Sequence, residues 1–221
     1  MLSKSQEKLI RSLSTKKGRE RSGYCLVEGG KVIETAGNSI EFLFYRKDTK
    51  EFDKLVTTET PQSAAAVARI PSFDIGDIKS RETIVILDGV QDPGNVGAIL
   101  RLCLGFDASL ILIDSADVTS SKVIRSSAGA MFQVPWMHVG AKQSSKIINN
   151  LKRSLYRLEK RQGAVDLQKA KIAKPCVILA GSEGQGIRMK AKGKSVYIDH
   201  NQALESLNVA NALAIALYAV K

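Results

Sequence analysis

Histidine and cysteine are scarce in this chain, and that scarcity removes whole classes of chemistry. There are two histidines, His138 and His200, and three widely spaced cysteines, Cys25, Cys103 and Cys176. No spacing among them suits a zinc centre, and no Ser or Cys stands in a nucleophile-elbow motif. A metal centre and a catalytic triad are both unsupported. The cysteines sit in apolar surroundings and read as buried thiols of a cytoplasmic protein. Long hydrophobic runs are missing too. The longest nearly apolar stretch, 209–220, is broken by Asn211 and too short to span a bilayer, so no membrane partner is expected. Residues 1–20 lack the apolar centre of a signal peptide. Leu2, Leu9, Ile10 and Leu13, with Glu7 among them, favour an ordinary first helix over an organelle transit segment.

Acidic residues are also in short supply. Asp and Glu number 22 against 33 Lys and Arg, a formal charge of +11 with a pI near 9.6. Residues 142–194 alone hold 14 Lys/Arg against 3 Asp/Glu. A second cluster, Lys16, Lys17, Arg19 and Arg21, lies near the start. Such concentration points to a polyanion, RNA or DNA, whose phosphates the cations neutralise without reading sequence.

What is present is a regular alternation. Residues 83–88, 109–113, 134–139, 175–180 and 195–198 are apolar and β-branched and read as strands. Residues 95–105, 121–127, 144–156 and 206–220 read as helices. Strands alternating with helices argue for an α/β domain on a mostly parallel sheet. Ahead of it, the pattern predicts a helix over 3–13, a basic loop over 15–23, strands over 24–27, 39–45 and 67–70, a helix over 30–36, and short helices within 49–56 and 61–66. Pro71 and Gly76 break this pattern. The domain boundary is therefore placed between 71 and 81, with domains over 1–72 and 81–221. The last helix is apolar on nearly all sides, which asks for burial all round and suggests a subunit interface as well as a core.

The candidate site residues lie at the ends of strands. DPGNVGAILR (92–101) follows the first strand of the second domain and brings Asn95 and Arg101 to its end, where ligands bind in α/β sheets. Asn95 can also serve as a helix cap, and Arg101 can pair with Asp88, Asp92 or Asp107. GSEGQG (181–186) follows another strand. It is neither a dinucleotide fingerprint nor a P-loop, and Glu183 would repel a phosphate. Ser206 is a plausible N-cap for the last helix, while Asn208 in its first turn is less easily explained by the fold. Arg125, in RSSAGA (125–130), reads as a phosphate contact or a solvated arginine.

Taken together, 92–101, 181–186 and Ser206-Leu207-Asn208-Val209 resemble the motifs of the SpoU (TrmH-like) family of RNA 2′-O-ribose methyltransferases, in the SPOUT superfamily. KVIRSSAGA (122–130) is similar to a segment between the first two. Lys16-Lys17-Gly18-Arg19 ahead of Leu26-Val27-Glu28-Gly29 looks like the family's small substrate-binding domain, which resembles a ribosomal-protein fold. The resemblance implies a trefoil-knotted C-terminal domain and S-adenosylmethionine as donor, framed by Gly181, Ile198 and Leu207 largely through backbone. It implies a homodimer through the last helix. It makes Arg101 the catalytic arginine, as base or as the group that orients the ribose, with Asn95, Glu183, Ser206 and Asn208 completing the site. Lys16, Lys17, Arg19 and Arg125 would meet the RNA, ribosomal more than transfer RNA. The chain departs from the family pattern at Asp199-His200-Asn201, where relatives carry Pro-Met and a Gly. It also departs at Pro61-Gln62-Ser63, where many read Pro-Gln-Gly, and in the short, very basic run 187–195. These departures leave a second reading, an RNA-binding protein of the same fold without catalysis. A nucleotide-dependent oxidoreductase is a weaker third, against which the missing fingerprint argues.

Overall fold

A computed structural model describes residues 1–201 and 203–220; the expected domain end at 221 lies outside them. In chain order the first elements are α1 (Lys4–Ser12), α2 (Lys16–Ser22), β1 (Tyr24–Glu28), α3 (Gly30–Ala36), β2 (Ile40–Tyr45), α4 (Phe52–Leu55), β3 (Ala64–Arg69) and α5 (Ile75–Ser80). Then come β4 (Thr83–Asp88), α6 (Pro93–Gly105), β5 (Ala108–Ile113), α7 (Ser121–Ser126), β6 (Trp136–Val139), α8 (Ala141–Leu151) and β7 (Ser154–Leu158). β8 (Val165–Asp166), β9 (Cys176–Gly181), β10 (Lys194–Tyr197) and α9 (Val209–Ala219) complete the chain. They divide into two compact units, Met1–Ser72 with Asp117–Gln133, and Phe73–Ala116 with Val134–Lys221.

The first unit is a three-stranded antiparallel sheet, order β1-β3-β2. Its core is Ile10, Leu13, Leu26, Phe44, Phe52, Leu55 and Val67, with the Phe44 and Phe52 rings 5.6 Å apart. Two sequence expectations are corrected here. The basic stretch after Thr15 is helical: the Thr15 hydroxyl accepts from the Gly18 N–H and Gly23 closes the helix in the left-handed region. Residues 61–66 form no helix. The alanines of β3 favour helix locally, but sheet pairing on both sides overrides that preference. The segment 117–133 belongs to this unit through two buried polar knots. Arg19 donates to Asp117 Oδ2 (2.5 Å), Thr119 Oγ1 (3.1 Å) and the Leu13 carbonyl (2.7 Å). Arg125 donates to Glu28 Oε2 (2.5 Å) and Thr57 Oγ1 (2.6 Å).

The second unit is a seven-stranded sheet, order β6-β5-β4-β9-β7-β10-β8, parallel throughout. Strand residues alternate between faces. Ile84, Ile86, Ile111, Ile113, Val177 and Leu179 share one core with Ile148 and Leu151 of α8, and α6 and α9 pack together and against β5 and β9. The helix expected over 144–156 stops at Leu151. Lys152 turns into the left-handed region (φ 52°), and the following residues form β7, paired between β9 and β10. α5, not foreseen in the break after Pro71, starts from a reciprocal cap between Asp74 and Asp77. The three cysteines are free and buried, and burial pushes the Cys25 and Cys103 thiols up to about 12. No described helix is long and apolar enough to cross a membrane.

Strand order fixes where a ligand can sit. From β4 the chain moves outward through β5 to β6, then returns to place β9 on β4's other side. Asp88 and Gly181, the last residues of β4 and β9, are register partners. The loops that follow them emerge side by side at the switch point of the sheet.

Candidate active site

Two glycines allow these loops to close up. A Cβ on Gly181 would lie 2.1 Å from the Gly186 carbonyl carbon and oxygen, so only glycine lets 182–186 fold back across the strand end. Gly89 has φ +75°, and a Cβ there would lie 2.7 Å from the Arg188 guanidinium. Beneath them the Asp88 carboxylate accepts from the Arg188 and Met189 N–H groups, both at 2.7 Å, fixing the path of the chain beyond Gly186.

Asp92, not Asn95, caps α6: its side chain accepts from the Asn95 N–H at 2.8 Å, with Pro93 in the first turn. The Asn95 side chain is thereby free to turn to the neighbouring loops. Its Nδ2 donates to Glu183 Oε1 (3.2 Å), and its Oδ1 accepts from Asn208 Nδ2 (2.8 Å). Asn208 also donates to Glu183 Oε1 at 2.8 Å. The expected Ser206 cap of α9 is replaced by Asn208, whose Oδ1 accepts from the Ala210 and Asn211 N–H groups at 3.0 and 3.3 Å. Glu183 receives the Val209 N–H as well (3.3 Å), where a helix N-terminus favours negative charge. Asn95, Glu183 and Asn208, each from a different motif, thus form one closed polar cluster.

Arg101 stands apart from that cluster. It lies on α6 six residues beyond Asn95, about 9 Å further along the axis. It is exposed, and its guanidinium has no hydrogen-bond or ion-pair partner among the described residues. The acids proposed as its partners are engaged elsewhere: Asp88 with the 188–189 backbone, Asp92 as a cap and Asp107 with Arg81 (2.8 Å).

A cavity of about 510 Å³ is lined by Ile198, Ser206 and Leu207, together with Leu158, Glu159, Tyr197 and His200. Gly181 is not in its wall; its part is to hold the 182–186 loop. His200 Nδ1 meets the Ile198 carbonyl at 2.8 Å, so the ring donates through Nδ1. Burial alone would raise the Glu159 carboxyl, but hydrogen bonds from Arg157 and Ser195 outweigh it and hold the group below the usual carboxylate range. A second cavity, about 320 Å³, has Asn95, Glu183, Gln185, Arg188 and Gln91 in its wall. Glu159, His200 and Arg188 were not among the sequence candidates. The departure at 199–201 touched His200 and the basic run after Gly186 touched Arg188, while Glu159 carried no local signal.

Of the basic candidates, Lys16 and Lys17 are exposed on α2, Lys16 within 3.7 Å of Glu20. Arg19 is 5 % exposed and its guanidinium is spent on Asp117, Thr119 and Leu13. It acts as a strut, and its expected contact with RNA is corrected on that ground. Arg125 is partly exposed, with its charge matched by Glu28. No group of three or more metal-ligating side chains occurs among the described residues.

A parallel sheet with a polar cluster and a small-molecule-sized cavity at its switch-point edge defines an α/β ligand-binding or catalytic unit, joined here to a small antiparallel one. Comparison with known proteins refines this. A model described as the SpoU rRNA Methylase family matches residues 82–218, and one described as the MRM3-like substrate binding domain matches residues 4–68. The chain belongs to the SpoU rRNA methylase family. It is 28% identical over 236 residues to the Bacillus subtilis 23S rRNA (guanosine(2553)-2′-O)-methyltransferase RlmP, covering 94% of this chain and 92% of that one. A TrmH-family protein from Porphyromonas gingivalis has the same fold at a TM-score of 0.83 and 28% identity, over 99% of this chain and 98% of that one. The SpoU methyltransferase AviRb from Streptomyces viridochromogenes, solved in complex with the cofactor AdoMet, superposes at a TM-score of 0.79 and 25% identity, over 98% and 97% of the two chains.

Proposed function

We propose that this chain transfers the methyl group of S-adenosylmethionine to a ribose 2′-hydroxyl of RNA, ribosomal rather than transfer RNA. The observation that carries the reading is the closed Asn95–Glu183–Asn208 cluster. It joins three motifs at one strand edge and sets Asn95 and Glu183 in the wall of the smaller cavity.

The larger cavity suits the donor. Its volume is that of a small-molecule site, and Ile198 and Leu207 offer apolar walls to a purine. When bound, S-adenosylmethionine supplies an electrophilic methyl on sulfur. The chain's own residues supply position. Glu183 and Asn208 fix the rim of the site, so the approach of a sugar oxygen is set before reaction, an orientation effect worth several kcal/mol. Arg101 brings an uncompensated positive charge. A guanidinium stays charged at neutral pH, so its part is to orient the 2′-hydroxyl and steady the adjacent phosphate. The 2′-hydroxyl itself selects RNA over DNA.

Several further elements belong to this reading. Exposed Lys16 and Lys17 serve the RNA in the first unit. The second unit carries the family's trefoil knot. Ile215 and Tyr218, 45 and 83 % exposed on α9, with Leu104 and Phe106 at the end of α6, form an apolar face that a second copy covers. The protein works in the cytoplasm, where ribosomal RNA is found.

The test is incubation with methyl-labelled donor and ribosomal RNA from cells lacking the gene. Label recovered in an alkali-resistant 2′-O-methyl dinucleotide is the expected result. RNA binding without donor binding by calorimetry would identify an inactive RNA-binding relative, and label on a base would refute the ribose assignment.

A further inference from the structure

The run 187–194 contains Arg188, Lys190, Lys192 and Lys194 and no acidic residue. Its side chains alternate. Met189 is buried and Ile187 and Ala191 pack against the core of the second unit, while Arg188, Lys190 and Lys192 are exposed. Apolar anchors at every second position thus leave the cations on the outer side. The backbone is held from beneath. Arg157, only 7 % exposed, donates to the Met189 and Ala191 carbonyls at 3.1 and 2.9 Å. At the start of the run, Asp88 takes the Arg188 and Met189 N–H groups. At its end a Cβ on Gly193 would lie 2.7 Å from the Leu155 carbonyl oxygen, so the chain lies flat on β7.

This ribbon forms one side of an open groove of about 660 Å³. Arg157 and Arg161 complete it with their charge matched by Glu159 at 2.7 and 3.2 Å, and Arg188 lies 3.7 Å from Asp88, so the lysines carry the free charge. Lys190, Lys192 and Lys194 have no ion-pair partner among the described residues. Arg188 lines this groove and also the 320 Å³ cavity that contains Asn95 and Glu183. The groove and the polar cluster are therefore continuous through one side chain.

We infer that the 187–193 ribbon is a phosphate-binding track for the RNA strand that enters the site, with Arg188 at its inner end and Lys190 and Lys192 further out. The inference rests on the function proposed above and adds a binding surface on the catalytic unit itself. A cationic row with its backbone immobilised loses little freedom on meeting a polyanion. It gains affinity by releasing condensed counterions, without reading bases. Neighbouring phosphates held in the groove would draw the intervening ribose toward Asn95 and Glu183.

The experiment compares the full-length protein with the double variant Lys190→Gln/Lys192→Gln. Binding of a labelled ribosomal RNA fragment is measured between 50 and 300 mM KCl, S-adenosylmethionine binding by calorimetry, and folding by thermal melting. The slope of log affinity against log salt is expected to fall by about 0.7–0.9 for each lysine removed. Weakening should be equal for unrelated RNA sequences, with donor binding and melting temperature unchanged. An unchanged slope in the double variant, when the wild type binds and methylates RNA, overturns the track and leaves the function standing. A wild type that binds donor but no RNA overturns the function. If the double variant melts early, Lys190→Gln and Lys192→Gln must each alone lower the slope by about 0.7–0.9; otherwise the track is wrong.

Discussion

Asn208 is bonded to Asn95 across 113 positions of chain, amide to amide at 2.8 Å, while its carbonyl oxygen caps its own helix. One side chain therefore serves fold and site through different atoms, and substitutions can separate the two. Asn208→Ala should cost about 1 kcal/mol from the lost cap and abolish most methyl transfer. Asn208→Ser restores a capping oxygen but offers no amide to Asn95 and Glu183. Denaturation should show stability recovered, and an activity assay should show no recovery. Parallel recovery of both would mean that the amide does nothing beyond capping.

Arg101 is the opposite case, an exposed cation that the fold does not use. Arg101→Ala is expected to leave the melting temperature within a degree or so and to lower methyl transfer by about 10²-fold, the scale of a lost orienting contact. Arg101→Lys keeps charge without the planar fork and should recover only part of the rate. Equal rates for wild type and Arg101→Ala would remove the arginine from the mechanism.

Gly181 tests the loop rather than the chemistry. The clash built by Gly181→Ala is with Gly186 backbone, which cannot swing aside as a flexible side chain would. The 182–186 loop must lift, taking Glu183 away from Asn95 and Asn208. Lower donor affinity by calorimetry and a reduced melting temperature are expected together. Unchanged donor affinity would show that the loop's closure is not needed for the larger cavity.

The Arg19–Asp117 pair makes the first unit sensitive to acid. Burial alone would raise the Asp117 carboxyl, but hydrogen bonds from Arg19 and Thr119 outweigh it and hold the group below the usual carboxylate range. A folded value below the unfolded one, about 3.9, means that the stabilisation is fully present above that pH. It is lost as pH falls through the folded value. Asp117→Asn should flatten this acid limb and lower stability at pH 7 by roughly 3 kcal/mol, because Arg19 stays buried without a counter-ion. Urea denaturation from pH 3 to 7 reads both effects.

Much of this was legible in the sequence where a local signal and the tertiary answer agree. The β-branched runs at 83–88 and 109–113 became central strands, since a strand buried on both faces needs a continuous apolar run. Asn95, Glu183 and Asn208 were visible as motif members, and the structure adds that they bond to one another. The misreadings came where local preference and context part. Ala64, Ala65 and Ala66 prefer helix but are sandwiched between two strands. Leu155 and Tyr156 continue the helical spacing of α8, and the left-handed turn at Lys152 that separates them leaves no mark on residue type. Arg19 looked like a surface cation because its partners, Asp117 and Thr119, lie about a hundred residues away.

The excursion of 117–133 has an evolutionary consequence. Gene fusion usually joins modules end to end, and a clean cut near residue 72 would look like the natural seam. Here the small module owns an island inside the other module's stretch of chain. α7 leans on β1, Arg125 answers Glu28, and a Cβ on Gly129 would lie 2.7 Å from Thr35. Any ancestor that exchanged its front module for another had to rewrite this inner island at the same time. The two are therefore expected to have diverged in step, as a co-inherited pair rather than interchangeable parts.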